Sequence, residues 1–186
     1  MRNWTEKEQP EQDTLQSLKK DLKIDDFICN LLLQREVNSL KKAQKFFRPD
    51  INLLHDPFLM KDMKKVVEKI QNLKEHRIMI LGDYDVDGTT STAMLYKYFK
   101  NMGYDLLYYI PDRYEEGYGV SEKAIEHAEI NKVSLIITVD CGIKAIHQVD
   151  LSNSKNIEVV ICDHHLPGEQ IPNAFGILNP KQENCN

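Results

Sequence analysis

The chain has 186 residues, 41% apolar and 28% charged, with a formal net charge of −5. That length and composition suit a soluble domain with a core of its own, and no apolar run approaches the roughly 20 residues of a membrane-spanning helix. Met1 to Thr14 is polar, without a signal-peptide core, and Cys29, Cys141, Cys162 and Cys185 lack zinc-knuckle or disulfide spacing, so a reducing, cytoplasmic setting is expected. Residues 1–76 carry 15 Lys and Arg against 13 Asp and Glu; residues 77–186 carry 9 against 16. The acidic excess therefore lies in the later part. Bulk charge gives no basic footprint of the kind nucleic-acid-binding proteins show, although bound metal ions would neutralise part of an acidic rim.

Residues 1–14 read as extended. From Leu15 to Phe47 the apolar clusters Phe27-Ile28, Leu31-Leu32-Leu33 and Phe46-Phe47 predict helix. Asp50 to Leu54 reads as loop, and Asp56-Pro57 as a helix start with proline at the first position. Met60, Met63, Val66, Val67 and Ile70 continue at helical spacing. After His76 the texture alternates. Strands are predicted at Arg77–Leu81, Asp105–Ile110, Leu135–Val139, Glu158–Ile161 and Gly176–Leu178. Helices are predicted at Thr89–Asn101, from a Ser121 cap to Asn131, and near Lys144–Asn153. This alternation argues an α/β fold, a doubly wound, mainly parallel sheet flanked by helices. An N-terminal helical extension (1–76) would precede a catalytic α/β domain (77–186).

Three acidic clusters follow apolar β-branched runs: Gly82-Asp83-Tyr84-Asp85-Val86-Asp87-Gly88, Asp140-Cys141-Gly142 and Asp163-His164-His165. Such runs read as buried parallel strands, and ligands bind outside the carboxyl ends of these strands. Five aspartates and two histidines would then converge on one rim, which points to a two-metal site. The first cluster opens like an EF-hand loop, but the twelfth position, counted from Asp83, is Met94 rather than the bidentate Glu that calcium requires. Asp85-Val86-Asp87-Gly88-Thr89 resembles a haloacid-dehalogenase-type phosphatase, with Asp85 as nucleophile and Asp87 as general acid. That reading leaves the other two clusters unexplained. Carboxylates with imidazoles suit two Mn²⁺ or Mg²⁺ ions, roughly 3.5–4 Å apart, clamping a phosphate. The amides at the start of the helix after Gly88, from Thr89 onward, could receive that phosphate.

Taken together, GDYDVDGTT, TVDCG and CDHH resemble the DHH phosphoesterase superfamily, and within it the RecJ branch of single-strand-specific exonucleases. The segment Tyr109 to Ser121, the run Leu178-Asn179-Pro180-Lys181 and Asn3-Trp4 add to the resemblance. By position it implies metal ligation by Asp83, Asp85, Asp87, Asp140 and His164, with Asp140 bridging two ions. It also implies that His165 lies beside the scissile phosphate and that Asp163 supports the histidines. The implied activity is hydrolysis of single-stranded DNA from the 5′ end to 5′-mononucleotides, in DNA repair and recombination. Other branches act on short oligonucleotides or small phosphate substrates, and non-catalytic DHH scaffolds carry eroded motifs. The family's fourth-motif aspartate and C-terminal domains have no counterpart here, so the chain is expected to be an N-terminal fragment. The resemblance names single-stranded DNA as partner, with no membrane and no particular protein.

Thr89, Arg113 and Tyr118 are candidate substrate contacts, Arg113 and Tyr118 equally candidates for local packing. Lys19-Lys20, Lys41-Lys42 and Lys64-Lys65 read as solvated helix faces, and His55, His76, His127 and His147 as surface or packing residues. Cys162 reads as core, and Tyr84 and Val86 as packing residues.

Overall fold

The computed structural model describes Thr5 and residues 7–185. Asn3 and Trp4 lie outside the described residues. The chain forms two compact units, Met1–His55 and Asp56–Asn186. The first contains α1 (Gln12–Leu22), α2 (Asp26–Leu33) and α3 (Leu40–Phe47), so helix begins ahead of Leu15. Lys23 and Glu36 take left-handed backbone, with φ of 55° and 62°, and break the helical stretch there. Leu15, Leu18, Cys29, Leu32, Val37 and Ala43 form the core of this unit.

The second unit opens with a single 3-10 turn, Pro57–Leu59, capped by the Asp56 carboxylate on the Phe58 amide at 2.9 Å. It continues as α4 (Met63–Gln71), β1 (Arg77–Gly82), α5 (Val86–Asn101), β2 (Asp105–Tyr109), α6 (Glu122–Ile130), β3 (Val133–Val139), α7 (Ile146–Ser154), β4 (Glu158–Cys162) and β5 (Gly176–Leu178). The strands form one parallel sheet in the order β2-β1-β3-β4-β5. Alternation along each strand feeds two cores. Met79, Leu81, Ile136, Val159 and Ile161 pack with Ala124 and Ile125 of α6 and Val149 of α7. Ile78, Ile80, Leu135, Ile137 and Val160 pack on the other face with Val66 of α4 and Phe99 of α5. Burial on both faces explains why β1, β3 and β4 read as unbroken apolar runs.

The chain steps outward from β1 to β2, then returns across β1 to β3. This reversal of strand order leaves a crevice at the carboxyl ends of β1 and β3, where doubly wound sheets bind ligands.

The compact division falls at His55, upstream of the division at 76 expected from sequence, because α4 covers the sheet. Val66 is buried, and the Asp62 carboxylate accepts the Ile177 amide of β5 at 3.0 Å. A Cβ on Gly176 would collide with the Val66 side chain. Gly176→Ala is therefore expected to destabilise the second unit by about 1–3 kcal/mol. Adding Val66→Ala should remove most of that penalty relative to Val66→Ala alone. Urea unfolding of the four proteins checks this, and additive losses would show that α4 does not press on β5.

Candidate metal centre

At the end of β1 the chain turns so tightly that a Cβ on Gly88 would lie 2.5 Å from Asp83 Oδ1. Glycine there lets the first turn of α5 sit directly on Asp83. The Asp83 side chain is fully buried; its Oδ1 accepts the Asp85 amide at 2.9 Å, and its Oδ2 has no hydrogen-bond partner. Asp85 caps α5, its Oδ1 accepting the amides of Asp87 at 2.9 Å and Gly88 at 3.1 Å. Helix α5 thus begins at Val86, ahead of the Thr89 start expected from sequence, and these amides are taken by Asp85 rather than left for a phosphate. The Thr89 hydroxyl likewise donates to the Asp85 carbonyl at 2.6 Å.

Asp140 follows β3 with a left-handed φ of 61°. Its amide donates to the Cys162 carbonyl of β4 at 2.9 Å. Gly142, at φ 108°, fits where a Cβ would come 2.8 Å from Thr138 Oγ1. That hydroxyl donates to the Cys141 carbonyl at 2.8 Å and closes the turn.

Asp163 follows β4 and organises its neighbours. Its Oδ1 accepts the amides of His164 at 2.7 Å and His165 at 3.0 Å, and lies 2.8 Å from His165 Nδ1. Its Oδ2 accepts the Ile143 amide at 3.0 Å. Burial raises the cost of its charge, yet these donors outweigh burial and hold the carboxyl below the usual range. His164 Nε2 lies 2.8 Å from Asp140 Oδ1.

Two sets of candidate ligand atoms result, each within 4.8 Å of one another: Asp83, Asp85 and Asp140, and Asp140, His164 and His165. Asp140 belongs to both. Asp87 joins neither set, but lines the same cavity of about 560 Å³ as Asp140, His164, Met94 and Leu178.

The electrostatics are unbalanced. Burial, and then the Asp85 charge, push Asp83 above the usual carboxylate range. Burial does the same to Asp140, outweighing the His164 contact, and the charges of Asp85 and Asp83 add to it. Asp85 is held low, chiefly by the Gly88 amide. Among the described residues no Lys or Arg comes within 4.0 Å of these carboxylates; of the histidines, His164 pairs with Asp140. A buried carboxylate oxygen without a donor is costly, and a hard divalent cation is the partner this donor set suits.

Around the centre, the Tyr118 hydroxyl donates to the Asp140 carbonyl at 3.0 Å, and Arg113 lies 5.0 Å from the centre of the Tyr84 ring. Tyr84 packs edge-on against Tyr118, as expected of a packing residue. Val86 does not pack; at the first position of α5 it is 73% exposed. Cys162 packs against the core, and burial pushes its thiol up to about 12. His76, His127 and His147 pair with Ser134, Asn131 and Glu122, away from the motifs. Lys19 and Lys65 pair with Asp26 and Asp62 on helix surfaces.

Two positioning residues escaped the sequence reading. Asn179, fully buried, donates from Nδ2 to the His165 carbonyl at 2.9 Å. Glu116 accepts from the Tyr109 hydroxyl at 2.9 Å, the Asp112 amide at 2.9 Å and the Ser121 hydroxyl. Both lie in segments that carry the family resemblance, but nothing in their local pattern gives a role.

Residues 77–186 match the family model described as the DHH family, N-terminal domain. The single-stranded-DNA-specific exonuclease RecJ of Bacillus subtilis is 37% identical over 180 residues, 96% of this chain and 23% of that protein. The protein of the same name from Escherichia coli is 39% identical over 127 residues, 67% of this chain and 22% of its own length. The chain thus spans less than a quarter of these curated relatives. A crystal structure of exonuclease RecJ bound to manganese superposes with a TM-score of 0.63 at 30% identity, covering 70% of this chain and 34% of that one. RecJ in complex with Mn²⁺ from Thermus thermophilus gives 0.66 at 22% identity, over 92% and 24%, a likeness of fold alone. The family match covers more than half of the residues and contains all three acidic turns: the chain belongs to the DHH family.

Proposed function

We propose that the chain forms part of a metal-dependent phosphodiester hydrolase, a 5′-to-3′ exonuclease on single-stranded DNA that releases 5′-mononucleotides and serves DNA repair and recombination. The observation that carries the reading is Asp140, shared by two ligand sets, beside a buried Asp83 oxygen without a partner. Asp83, Asp85, Asp140 and His164 are the residues that would hold two Mn²⁺ or Mg²⁺ ions, with Asp87 joining from the first turn of α5. Ions bound there would neutralise the carboxylates, activate water for attack on phosphorus and stabilise charge on the phosphate oxygens.

The protein's own residues do the rest. Asp163 fixes the ring of His165 through Nδ1, which leaves Nε2, 3.5 Å from the Tyr118 hydroxyl, as the ring atom that would contact a phosphate. Arg113, exposed over the Tyr84 face, offers a cation to the strand backbone. No helix of the described residues is long and apolar enough to cross a membrane. Hydrolysis of a strand in water by a cytoplasmic protein fits that observation. The RecJ relatives, named for single-stranded DNA, support the choice of substrate.

The full-length protein is expected to degrade single strands with Mn²⁺, from the 5′ end, much faster than it cleaves dinucleotides. Asp140→Ala should lower the rate by about 100-fold or more. End-labelled strands of both polarities check this. Preference for dinucleotides would move the reading to a small-substrate DHH enzyme, and absence of hydrolysis with Mn²⁺ to a scaffold.

A second expectation concerns charge. A carboxyl whose folded pKa is raised contributes stability below its unfolded pKa, and loses it as pH rises through the folded value. At neutral pH without metal, ionised Asp83 therefore destabilises the fold. Asp83→Asn is expected to raise the metal-free melting temperature by about 2–4 °C, roughly 1 kcal/mol for a chain of this size. The gain should shrink as pH falls through the raised Asp83 range toward ordinary carboxylate values. Differential scanning calorimetry with chelator checks both, and a lower melting temperature at pH 7 would contradict the assignment.

A further inference from the structure

We infer that Tyr118 is a positioning residue, whose hydroxyl holds the backbone of Asp140 in the conformation that lets one carboxylate serve both ligand sets. The inference rests on the proposed metal role of Asp140 and concerns how that residue is held. A left-handed φ of 61° at a residue other than glycine persists where the surroundings enforce it. At Asp140 the restraint comes from both sides. The amide donates to the Cys162 carbonyl at 2.9 Å, and the carbonyl accepts the Tyr118 hydroxyl at 3.0 Å. One anchor lies on β4 and the other on the loop after β2. Between them the carboxylate meets His164 Nε2 at 2.8 Å and gathers with Asp83 and Asp85. With the carbonyl released, rotation toward ordinary backbone angles would swing the carboxylate out of both sets.

Tyr118 is itself fixed in place. Gly117 and Gly119 have φ of 80° and 86°, so the chain turns sharply on either side of it. Its ring stands edge-on to Tyr84 at 6.2 Å and to His165 at 6.0 Å between ring centres. Glu116 ties the loop to Tyr109 at the end of β2 and to Ser121 at the start of α6. The hydroxyl lies 3.0 Å from the Asp140 carbonyl and 3.5 Å from His165 Nε2, so the shorter contact is the one to Asp140, while the residue stays 55% exposed.

Tyr118→Phe tests this, because it removes the hydroxyl and keeps the ring. Two measurements on the 186-residue chain are needed: amide hydrogen exchange at Asp140 without metal, with Ile80 as the remote reference, and Mn²⁺ affinity by calorimetry. In the variant the Asp140 amide is expected to exchange about 10-fold faster with Ile80 unchanged, while Mn²⁺ affinity falls about 10-fold. Unchanged exchange at Asp140 overturns the inference whatever the metal does. So does unchanged Mn²⁺ affinity beside a raised KM of the full-length protein for single strands, which would make Tyr118 a substrate contact. Faster exchange in a chain whose wild type binds no Mn²⁺ would instead sink the metal reading and leave the grip on Asp140 standing.

Discussion

The structure turns on a charge that the protein does not balance for itself. Asp83, Asp85 and Asp140 bring carboxylate oxygens within 4.8 Å of one another, and Asp83 is fully buried with one oxygen lacking any donor. In a low-dielectric crevice such repulsion raises the pKa of some members, as burial does for Asp83 and Asp140. Asp163 shows the opposite solution at the neighbouring strand end, where three amides and a ring nitrogen satisfy one carboxylate. Asp163 is saturated with donors, Asp85 accepts two amides through one oxygen, and Asp83 is left short. That contrast separates a structural carboxylate from those available to a cation.

The sheet supplies the geometry at little local cost. The reversal between β1 and β3 opens the crevice, and the apolar strands on both sides keep the three turns rigid. Each turn then relies on a small number of side-chain to backbone bonds: Asp85 on α5, Thr138 on Cys141, Asn179 on His165. Loss of one such bond shifts a ligand without unfolding the sheet. Sites of this kind therefore depend on residues that touch no substrate.

Much of this was legible in the sequence because the strands are buried on both faces. Their apolar runs end where the acidic turns begin, so strand ends and candidate site residues are marked together. Asp83, Asp140 and His164 fell where that pattern placed them. Helix α5 starts ahead of the expected Thr89, because Asp85 serves as its cap and the helix takes in Val86 and Asp87. The same capping removed the expected phosphate seat on the helix amides. Nothing near α4 in the sequence announces that it covers the sheet, because its packing partner, Gly176, lies more than a hundred residues away. Asn179 and Glu116 could not be read, since a buried amide or carboxylate has no periodicity to announce its partners.

The most direct test of the account is anomalous scattering from crystals of the chain grown with Mn²⁺. Two manganese peaks are expected, one beside Asp83 and Asp85 and one beside His164, with an Asp140 carboxylate oxygen in contact with each. A single peak remote from Asp140, or none at saturating Mn²⁺, would contradict it.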